Sequence, residues 1–404
     1  MIAVLKIVVT LALVVILLQK RVNLGNAMFA GAGLLFLLSS PQLTTLEITL
    51  RHLLLTSSTW EILLALYLVM CLEFQLRTSG IIDGLMTASR ALFRSDKVLL
   101  ALMPAFLGFL PSLGGAIFSA PLVEAAAKPY QLSPERKTAI NYWFRHLWEC
   151  TNPIIPALLV GSEIMQVPLG TLISHMLWVS AISLAVGWVY FITPLRSKIK
   201  VQGASSVAVL TPSAQYKYFL LALGPILGNL LLVVGFDVNP ALSMLVVVAT
   251  MVFVLRQASD SLAAMFKHAF DKKLLWGIIA ILFFQYMLRQ TGVMSDVAAV
   301  LQHSGIPVLA VIGTIGFIAG LLTGASQGYV AIAFPLAAAV ATGDVNAAVT
   351  AYVAGFAGQM MSPAHLCLLV TVDYFKADFL KSLRAVAAVA ACVLLALSLQ
   401  TIFL

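Results

Sequence analysis

The sequence predicts an all-α polytopic membrane protein of two inverted repeats, each with five transmembrane helices and one re-entrant hairpin. Three observations support this prediction: an extremely apolar composition, two long apolar stretches that are interrupted at their centres, and a weak internal repeat. The 404 residues are 61% hydrophobic and only 10% charged, whereas about a quarter of a globular domain is charged. A soluble protein is therefore excluded. A nucleic-acid partner is not expected either, because the basic residues lie between apolar runs and form no stripe.

Ten apolar segments are predicted to cross the bilayer, since a spanning helix needs about 17–25 residues. They are residues 2–18, 25–40, 58–76, 138–160, 168–192, 216–234, 240–255, 273–290, 345–372 and 382–402. Two further stretches, 98–127 and 306–342, are too long for one helix and contain Gly, Ser and Pro at their centres. We interpret them as hairpins that enter and leave on one side. Residues 80–94 are typical of an amphipathic helix at the interface.

The distribution of positive charge supports this arrangement. If both hairpins are re-entrant, 20 of the 24 Lys and Arg residues fall on one side of the membrane. The positive-inside rule makes that side cytoplasmic and places both termini outside the cell membrane. If either hairpin crossed fully, the downstream basic loops would change sides and the asymmetry would be lost.

The two halves resemble each other weakly and in one order. Residues 76–81 correspond to 288–293, and the run Glu149–Pro153 corresponds to Gln359–Pro363, at offsets of 212 and 210. The serine and glycine of the first hairpin centre match those of the second at an offset of 214. We therefore divide the chain into a first repeat (1–200), a connector (201–215) and a second repeat (216–404). Five crossings in each half give the repeats opposite orientations, as in secondary transporters.

The helix interruptions are the predicted binding site. A broken helix exposes N–H and C=O groups, which hydrocarbon tolerates only where they line a cavity or bind a ligand, and a half-helix directs its positive end at an anion. The candidates lie at the two hairpin tips and at the breaks within 138–160 and 345–372. The predicted solute ligands are Ser112, Gly114, Gly115, Arg145, Thr151, Asn152, Ser326, Gln327, Gly328, Ser362 and His365.

Arg145 and Glu149 are the charged candidates, because a charge at the centre of a transmembrane helix costs about 2.5–3.5 kcal/mol and needs a partner or a cavity. Their spacing with Asn141 and Asn152 predicts one shared helical face. We expect Arg145 to bind an anion, and Glu149 with Gln359 to carry the coupling ion. The alternative is that Arg145 and Glu149 only neutralise each other at i,i+4.

Four glycines, at positions 316, 320, 324 and 328, recur at every fourth residue of the second interrupted stretch. That spacing also suits a continuous helix packed closely against a neighbour, and it is the main argument against a second hairpin. The serine at 326 lies between two of these glycines in a G-x-S-x-G pattern. The pattern formally matches a nucleophile elbow, which requires a preceding strand.

The segments PSLGGAIFSAPLVE (111–124) and NYWFRHLWE (141–149) resemble a bacterial and archaeal domain-of-unknown-function branch of the ion-transporter superfamily. That superfamily includes gluconate permeases and dicarboxylate and citrate symporters. The resemblance covers essentially the whole chain and implies an elevator-type transporter that works as a homodimer. In the carboxylate symporters the hairpin tips carry serine–asparagine–threonine signatures. Only a serine remains here at each tip, so the resemblance does not establish sodium coupling.

These observations predict an ion-coupled secondary transporter of a small anionic solute, most simply an organic carboxylate, with H⁺ or Na⁺ as the coupling ion. A cation/proton antiporter with Glu149 as its ion site is the first alternative. An intramembrane serine hydrolase using Ser326 and His365 is the second. No catalytic residue, cofactor or metal site is otherwise expected, because the four cysteines lie inside apolar segments without a CxxC pair. The expected partners are the solute, the bilayer and a second copy of the chain.

Overall fold

The computed structural model describes residues 2–39, 41–92, 95–109, 116–197, 211–293, 296, 299 and 305–403. Within these ranges all regular structure is helical, which confirms the all-α prediction. The helices are α1 (Ile2–Gln19), α2 (Leu24–Ser39), α3 (Leu43–Leu55), α4 (Ser57–Thr78), α5 (Ile81–Leu92), α6 (Asp96–Gly108), α7 (Ala116–Ala127), α8 (Pro134–Arg145), α9 (Pro156–Met165), α10 (Leu169–Ser174), α11 (Leu177–Gly187), α12 (Pro212–Leu230), α13 (Pro240–Leu255), α14 (Ser259–Ala269), α15 (Lys272–Gln290), α16 (Val308–Thr323), α17 (Ser326–Ala341), α18 (Val345–Met360), α19 (Leu366–Phe375) and α20 (Phe379–Phe403).

Several helices are apolar enough for a membrane. By length and composition alone, four helical stretches are able to cross it, namely Ser57–Thr78, Leu169–Ile192, Pro212–Gly235 and Phe379–Thr401. The other apolar helices are shorter, and they include both arms of the second hairpin and the second arms of both broken helices. These four helices are short because each interruption divides one long apolar run into two pieces.

The order of the helices repeats along the chain. The series α1 to α4 recurs as α12 to α15, and the series α6 to α10 recurs as α16 to α20. The first residues of equivalent helices are 210 to 216 positions apart. The packing is reciprocal as well: α2 contacts α15 while α13 contacts α4, and α7 contacts α19 while α17 contacts α9. The exchanged partners occupy equivalent positions of the repeated helix order.

Two helices were not predicted. Helices α3 and α14 are short and carry charged residues, so a search for apolar runs assigned both to loops. In α3 the Arg51 Nε atom donates to Glu47 Oε1 over 2.9 Å, an i,i+4 pair that suits a polar helix face. Helix α3 of the first half packs on α15 of the second half, and α14 of the second half packs on α4 of the first.

Two predicted segments also change. The segment 168–192 is not one regular helix, because a turn at His175–Met176 separates α10 from α11 and a π-helical turn ends it at Trp188–Ile192. Helix α12 begins at Pro212, inside the expected connector, since Thr211 caps it and proline suits the first helical position. Residues 198–210 of that connector lie outside the described residues. The expected amphipathic helix is present as α5.

Asp344→Ala is expected to lower the free energy of unfolding by about 1 kcal/mol, the usual contribution of an N-cap side chain. Asp344 Oδ1 accepts the backbone N–H groups of Asn346 and Ala347 at the start of α18, over 2.8 and 3.2 Å. Thermal unfolding of the purified protein in detergent measures the change. The control is Asp373→Ala, which removes an exposed pair with Lys376. An equal loss in both variants would contradict a capping role.

Candidate functional site

The first helix interruption begins earlier than predicted. Helix α8 ends at Arg145, and turns continue to Ile155 before α9 starts. The prediction of one helical face shared by Asn141, Arg145, Glu149 and Asn152 is therefore wrong. Proline at 153 disfavours helical backbone in the residue before it, and the segment instead makes tighter turns such as Glu149 N–H to the His146 carbonyl, 3.2 Å. The spacing of polar residues alone did not show where the helix stops.

The second interruption lies between α18 and α19, at residues 361–365, as predicted. Ser362 is fully buried there. Its Oγ donates to the Leu321 carbonyl over 2.7 Å and accepts the Ala364 N–H over 3.1 Å. The serine therefore ties this break to the end of the first arm of the second hairpin.

Asn152 makes the equivalent connection in the first half. Its Nδ2 donates to the Phe109 carbonyl over 2.8 Å, and its Oδ1 accepts the Ile154 N–H over 3.3 Å. In both halves, one buried side chain joins a break to its own hairpin. The polar atoms of Asn152 and Ser362 satisfy backbone groups in this conformation, and their role as solute ligands stays a prediction.

Both long apolar stretches are helical hairpins. Helix α6 packs along α7, and α16 packs along α17. The second turn is made by Gly324, whose φ of 61° is a left-handed conformation that favours glycine. Ser112, Gly114 and Gly115, which the sequence places at the centre of the first stretch, lie outside the described residues.

The glycine repeat of the second stretch serves packing as well as the turn. A Cβ built on Gly316 or Gly320 would lie within 3.0 Å of a carbonyl oxygen of α18, at Ala351 or Gly355 respectively. Helix α16 therefore approaches α18 backbone to backbone. The close packing predicted from this spacing is present at Gly316 and Gly320, but the continuous helix is not formed, because Gly324 turns the chain.

Glu149 lies where the two halves meet. The side chains of Ser326, at the start of α17, and Gln359, at the end of α18, are within hydrogen-bonding range of its carboxylate. The Tyr352 hydroxyl donates to the Glu149 carbonyl over 3.2 Å. The residue stays partly accessible although protein surrounds it. The structure thus brings three predicted residues from a break, a hairpin tip and the opposite break into one cluster.

Arg145 lies beside this cluster and is 5% exposed. Its Nη1 donates to the Leu107 carbonyl at the end of α6 over 2.9 Å, and its guanidinium also hydrogen-bonds with Cys367 of α19. Arg145 and Glu149 also interact electrostatically. The guanidinium thus has hydrogen-bond partners in both the first hairpin and the second half.

The remaining predicted ligands have other neighbours. Thr151 Oγ1 is 2.8 Å from Ser180 Oγ. Gln327 Oε1 accepts from Ser326 Oγ over 3.5 Å, and Gly328 lies in the first turn of α17, packed on Thr323. Thr151 and Gly328 are buried by this packing, whereas Gln327 is partly exposed.

His365 pairs with a residue that was not among the predicted ligands. Its Nε2 lies 3.1 Å from His146 Nε2. The hydrogen bonds of the described residues do not join His365 to Ser326, and Ser326 follows a helix and a turn instead of a strand. The nucleophile-elbow context is therefore absent at Ser326.

Two tyrosines that sequence reasoning missed connect the breaks reciprocally. The Tyr142 hydroxyl donates to the Gln359 and Met360 carbonyls, each over 3.4 Å, while Tyr352 reaches Glu149. The two tyrosines are 210 residues apart, and so are Glu149 and Gln359. The repeat offset was the available signal, since it aligns both pairs.

A cavity of about 350 Å³ lies away from this cluster, among α4, α9, α10 and α13. Its lining includes Glu61, Glu163 and Asp237, and Asn239 Nδ2 donates to Glu61 Oε2 over 2.5 Å. Glu149 is not part of the lining. The cavity is therefore separate from the cluster that the two breaks and the hairpin form.

The helical fold with paired interruptions defines a polytopic membrane protein with the fold of a transporter. The crystal structure of the YdaH transporter of Alcanivorax borkumensis is similar to this chain, with a TM-score of 0.62 and 14% sequence identity over 87% of each chain. The chain belongs to the family DUF401, described as a protein of unknown function, which matches residues 1–403. No curated protein matches the sequence. The narrower assignment to the gluconate and dicarboxylate carriers stays a prediction.

Proposed function

We propose that this protein is an ion-coupled secondary transporter of a small anionic solute, an organic carboxylate. One observation carries the proposal: Glu149, at the interruption of one half, meets Ser326 and Gln359 of the other half, and the buried Arg145 lies beside it against Leu107 and Cys367. Buried charges are costly in a membrane protein and mark ion and solute pathways. The likeness to a transporter fold supports the same conclusion.

The coupling ion is proposed to bind at Glu149. A carboxylate, the Ser326 hydroxyl and the Gln359 amide oxygen are oxygen donors suited to a hard cation such as Na⁺, and the carboxylate alone suits a proton. Gln359 Oε1 is buried without a hydrogen-bond partner among the described residues. Because an unsatisfied buried acceptor costs about 1–3 kcal/mol, a cation at this position would satisfy it.

The solute carboxylate is proposed to bind at Arg145. The planar guanidinium binds carboxylates through paired, charge-assisted hydrogen bonds. Arg145 lies between the end of α6, at Leu107, and the start of α19, at Cys367. An anion there would contact the first hairpin and the second break together, so its binding would depend on how these elements are placed.

The arrangement in the membrane completes the proposal. We place both hairpins as re-entrant and both termini outside the cell membrane, on the strength of the positive-charge asymmetry. The repeated helix order with exchanged partners supports inverted repeats. Elevator movement and a homodimer follow from the family resemblance and remain part of the proposal.

One observation also favours a cation/proton antiporter as a second candidate. The oxygen cluster around Glu149 requires no organic solute, and Arg145 would then serve as an internal counter-charge. In this alternative Glu149 exchanges a proton for a cation. The two candidates assign different roles to Arg145, so variants at Arg145 and Glu149 separate them.

Transport by the purified protein in vesicles tests both candidates. We expect Arg145→Ala to reduce gradient-driven uptake of labelled carboxylates by about 30-fold or more, because losing one partner of a buried charged pair costs about 2–5 kcal/mol. Glu149→Gln should abolish the dependence on the ion gradient and keep carboxylate exchange. Matched controls are Arg51→Ala and Glu163→Gln, which lie outside the cluster.

Carboxylate uptake that is the same in Arg145→Ala and wild type would contradict the proposal. Proton-driven sodium movement that Glu149→Gln abolishes, without carboxylate uptake, would establish the antiporter.

A further inference from the structure

Two histidines beside the proposed transport site cannot both satisfy all their ring nitrogens by hydrogen bonds while they are neutral. His146 and His365 are each 6% exposed, and their Nε2 atoms are 3.1 Å apart. His146 Nδ1 is 2.7 Å from the Tyr142 carbonyl oxygen. Because a carbonyl only accepts, Nδ1 of His146 carries the proton, and its Nε2 presents a lone pair to His365.

Each neutral form of His365 leaves at least one nitrogen lone pair unsatisfied. If Nε2 carries the proton, it donates to His146, but Nδ1 is then a buried acceptor without a partner among the described residues. The Gly324 carbonyl, which also only accepts, is the backbone group that faces this ring. If Nδ1 carries the proton instead, two nitrogen lone pairs face each other at 3.1 Å. That second arrangement requires a cation between the rings.

A third ligand atom of the appropriate kind lies at the same place. Cys367 Sγ and the two imidazole nitrogens lie within 4.8 Å of one another. Nitrogen ligands about 2.0–2.1 Å from a tetrahedral zinc ion lie about 3.3–3.4 Å apart, so the histidine pair needs to open by only a few tenths of an ångström. Two imidazoles and a thiolate are the ligands that Zn²⁺ and related ions prefer.

The surroundings supply features that metal sites use. The Tyr142 carbonyl fixes the tautomer and orientation of His146, as outer-shell partners of metal ligands do. The Arg145 guanidinium hydrogen-bonds with Cys367, which stabilises a thiolate. Arg145 also opposes a cation by its charge, and the thiolate together with the nearby Glu149 carboxylate offsets that repulsion.

We propose that His146, His365 and Cys367 form a binding site for one thiophilic divalent cation, with Zn²⁺ as the representative ion and a fourth position for water or another ligand. Because His146 belongs to the first break, His365 to the second, and Cys367 to the first turn of α19 directly after it, the ion would link the two interruptions. The proposal is independent of the proposed solute, since it rests on the geometry of these three side chains. A proton shared by the two histidines is the competing occupant.

Metal titration of the purified full-length protein in detergent tests the site. We expect one Zn²⁺ per chain in competition with a chromogenic chelator. Co²⁺ should give the absorption of a tetrahedral site with a thiolate-to-cobalt band. His365→Gln should weaken binding by about 100-fold or more, since even outer-shell changes cost 10–100-fold. Cys367→Ser should remove the thiolate band specifically. The matched controls are His175→Gln and Cys150→Ser, which should bind as wild type does.

Folding is controlled by gel filtration and thermal unfolding of each variant. If His365→Gln does not fold, the cobalt spectrum of the wild type and of Cys367→Ser decides the matter. Folded wild-type protein without a thiolate-to-cobalt band overturns the proposal. Zinc binding that is unchanged in both ligand variants overturns it as well. Absence of zinc binding in the wild type leaves the shared proton as the occupant and equally overturns the metal site.

Discussion

Gly320→Ala is expected to destabilise the protein by about 3 kcal/mol or more, at the upper end of overpacking effects. A Cβ on Gly320 would lie within 3.0 Å of the Gly355 carbonyl and also of the Gln359 N–H. These are backbone atoms and cannot rotate away as a flexible side chain would. The methyl group would therefore separate α16 from α18, which is the most extensive helix contact in the described chain. Thermal unfolding in detergent measures the loss.

Gly228→Ala is the matched control for this substitution. Gly228 lies within α12, and a Cβ there would have no atom within 4 Å. Alanine should stabilise that helix by up to about 1 kcal/mol, because it has the higher helix propensity. If the two variants unfold at the same temperature, close backbone packing is not what holds α16 to α18.

Gly108→Ala should have an effect of similar size, with an additional effect on function. A Cβ on Gly108 would lie within 3.0 Å of the Arg145 carbonyl. This is the first-half equivalent of the Gly320 contact, because 108 and 320 differ by 212 and 145 and 355 differ by 210. The adjacent Leu107 carbonyl holds the Arg145 guanidinium. The substitution therefore displaces both ends of Arg145.

Carboxylate uptake by Gly108→Ala should consequently fall further than its loss of stability explains. We expect at least about a 10-fold loss, the effect of about 1.4 kcal/mol of misplaced binding energy, in the fraction of protein that remains folded. Gly316→Ala provides the comparison, since its Cβ would lie within 3.0 Å of the Ala351 carbonyl of α18 and contacts neither Arg145 nor Gln359. Equal specific uptake in the folded fractions of both variants would show that Gly108 serves packing alone.

Much of the fold was predictable from the sequence, because apolar length and interruption are strong signals in a membrane protein. Both hairpins and the break at Ser362 were predicted from glycine, serine and proline within apolar runs. Helices α3 and α14 were missed, since their charged residues hide them from a search for apolar segments. The early end of α8 was missed for a related reason. Residues 146–150 have no glycine or proline, and tertiary contacts override their helical spacing.

Most residues of the candidate site were predicted from the sequence, but their arrangement was predicted only in part. The convergence of Glu149 with Ser326 and Gln359 follows the repeat, since each lies at an expected interruption. The pairing of His365 with His146 and Cys367 does not. These residues are not equivalent under the repeat, and contacts between inequivalent positions of two halves depend on the tertiary packing. The same limit explains why the contacts of Arg145 with α6 and α19 were not predicted from the sequence.

The reciprocal hydroxyls of Tyr142 and Tyr352 have a mechanical consequence. Each hydroxyl belongs to a helix of one half and hydrogen-bonds backbone carbonyls of the other half: Tyr142 contacts Gln359 and Met360 in the last turn of α18, and Tyr352 contacts Glu149 between α8 and α9. Displacing either segment therefore requires breaking a hydrogen bond to a tyrosine of the other half. We expect ligand binding at one interruption to be coupled to the position of the other through these two hydrogen bonds.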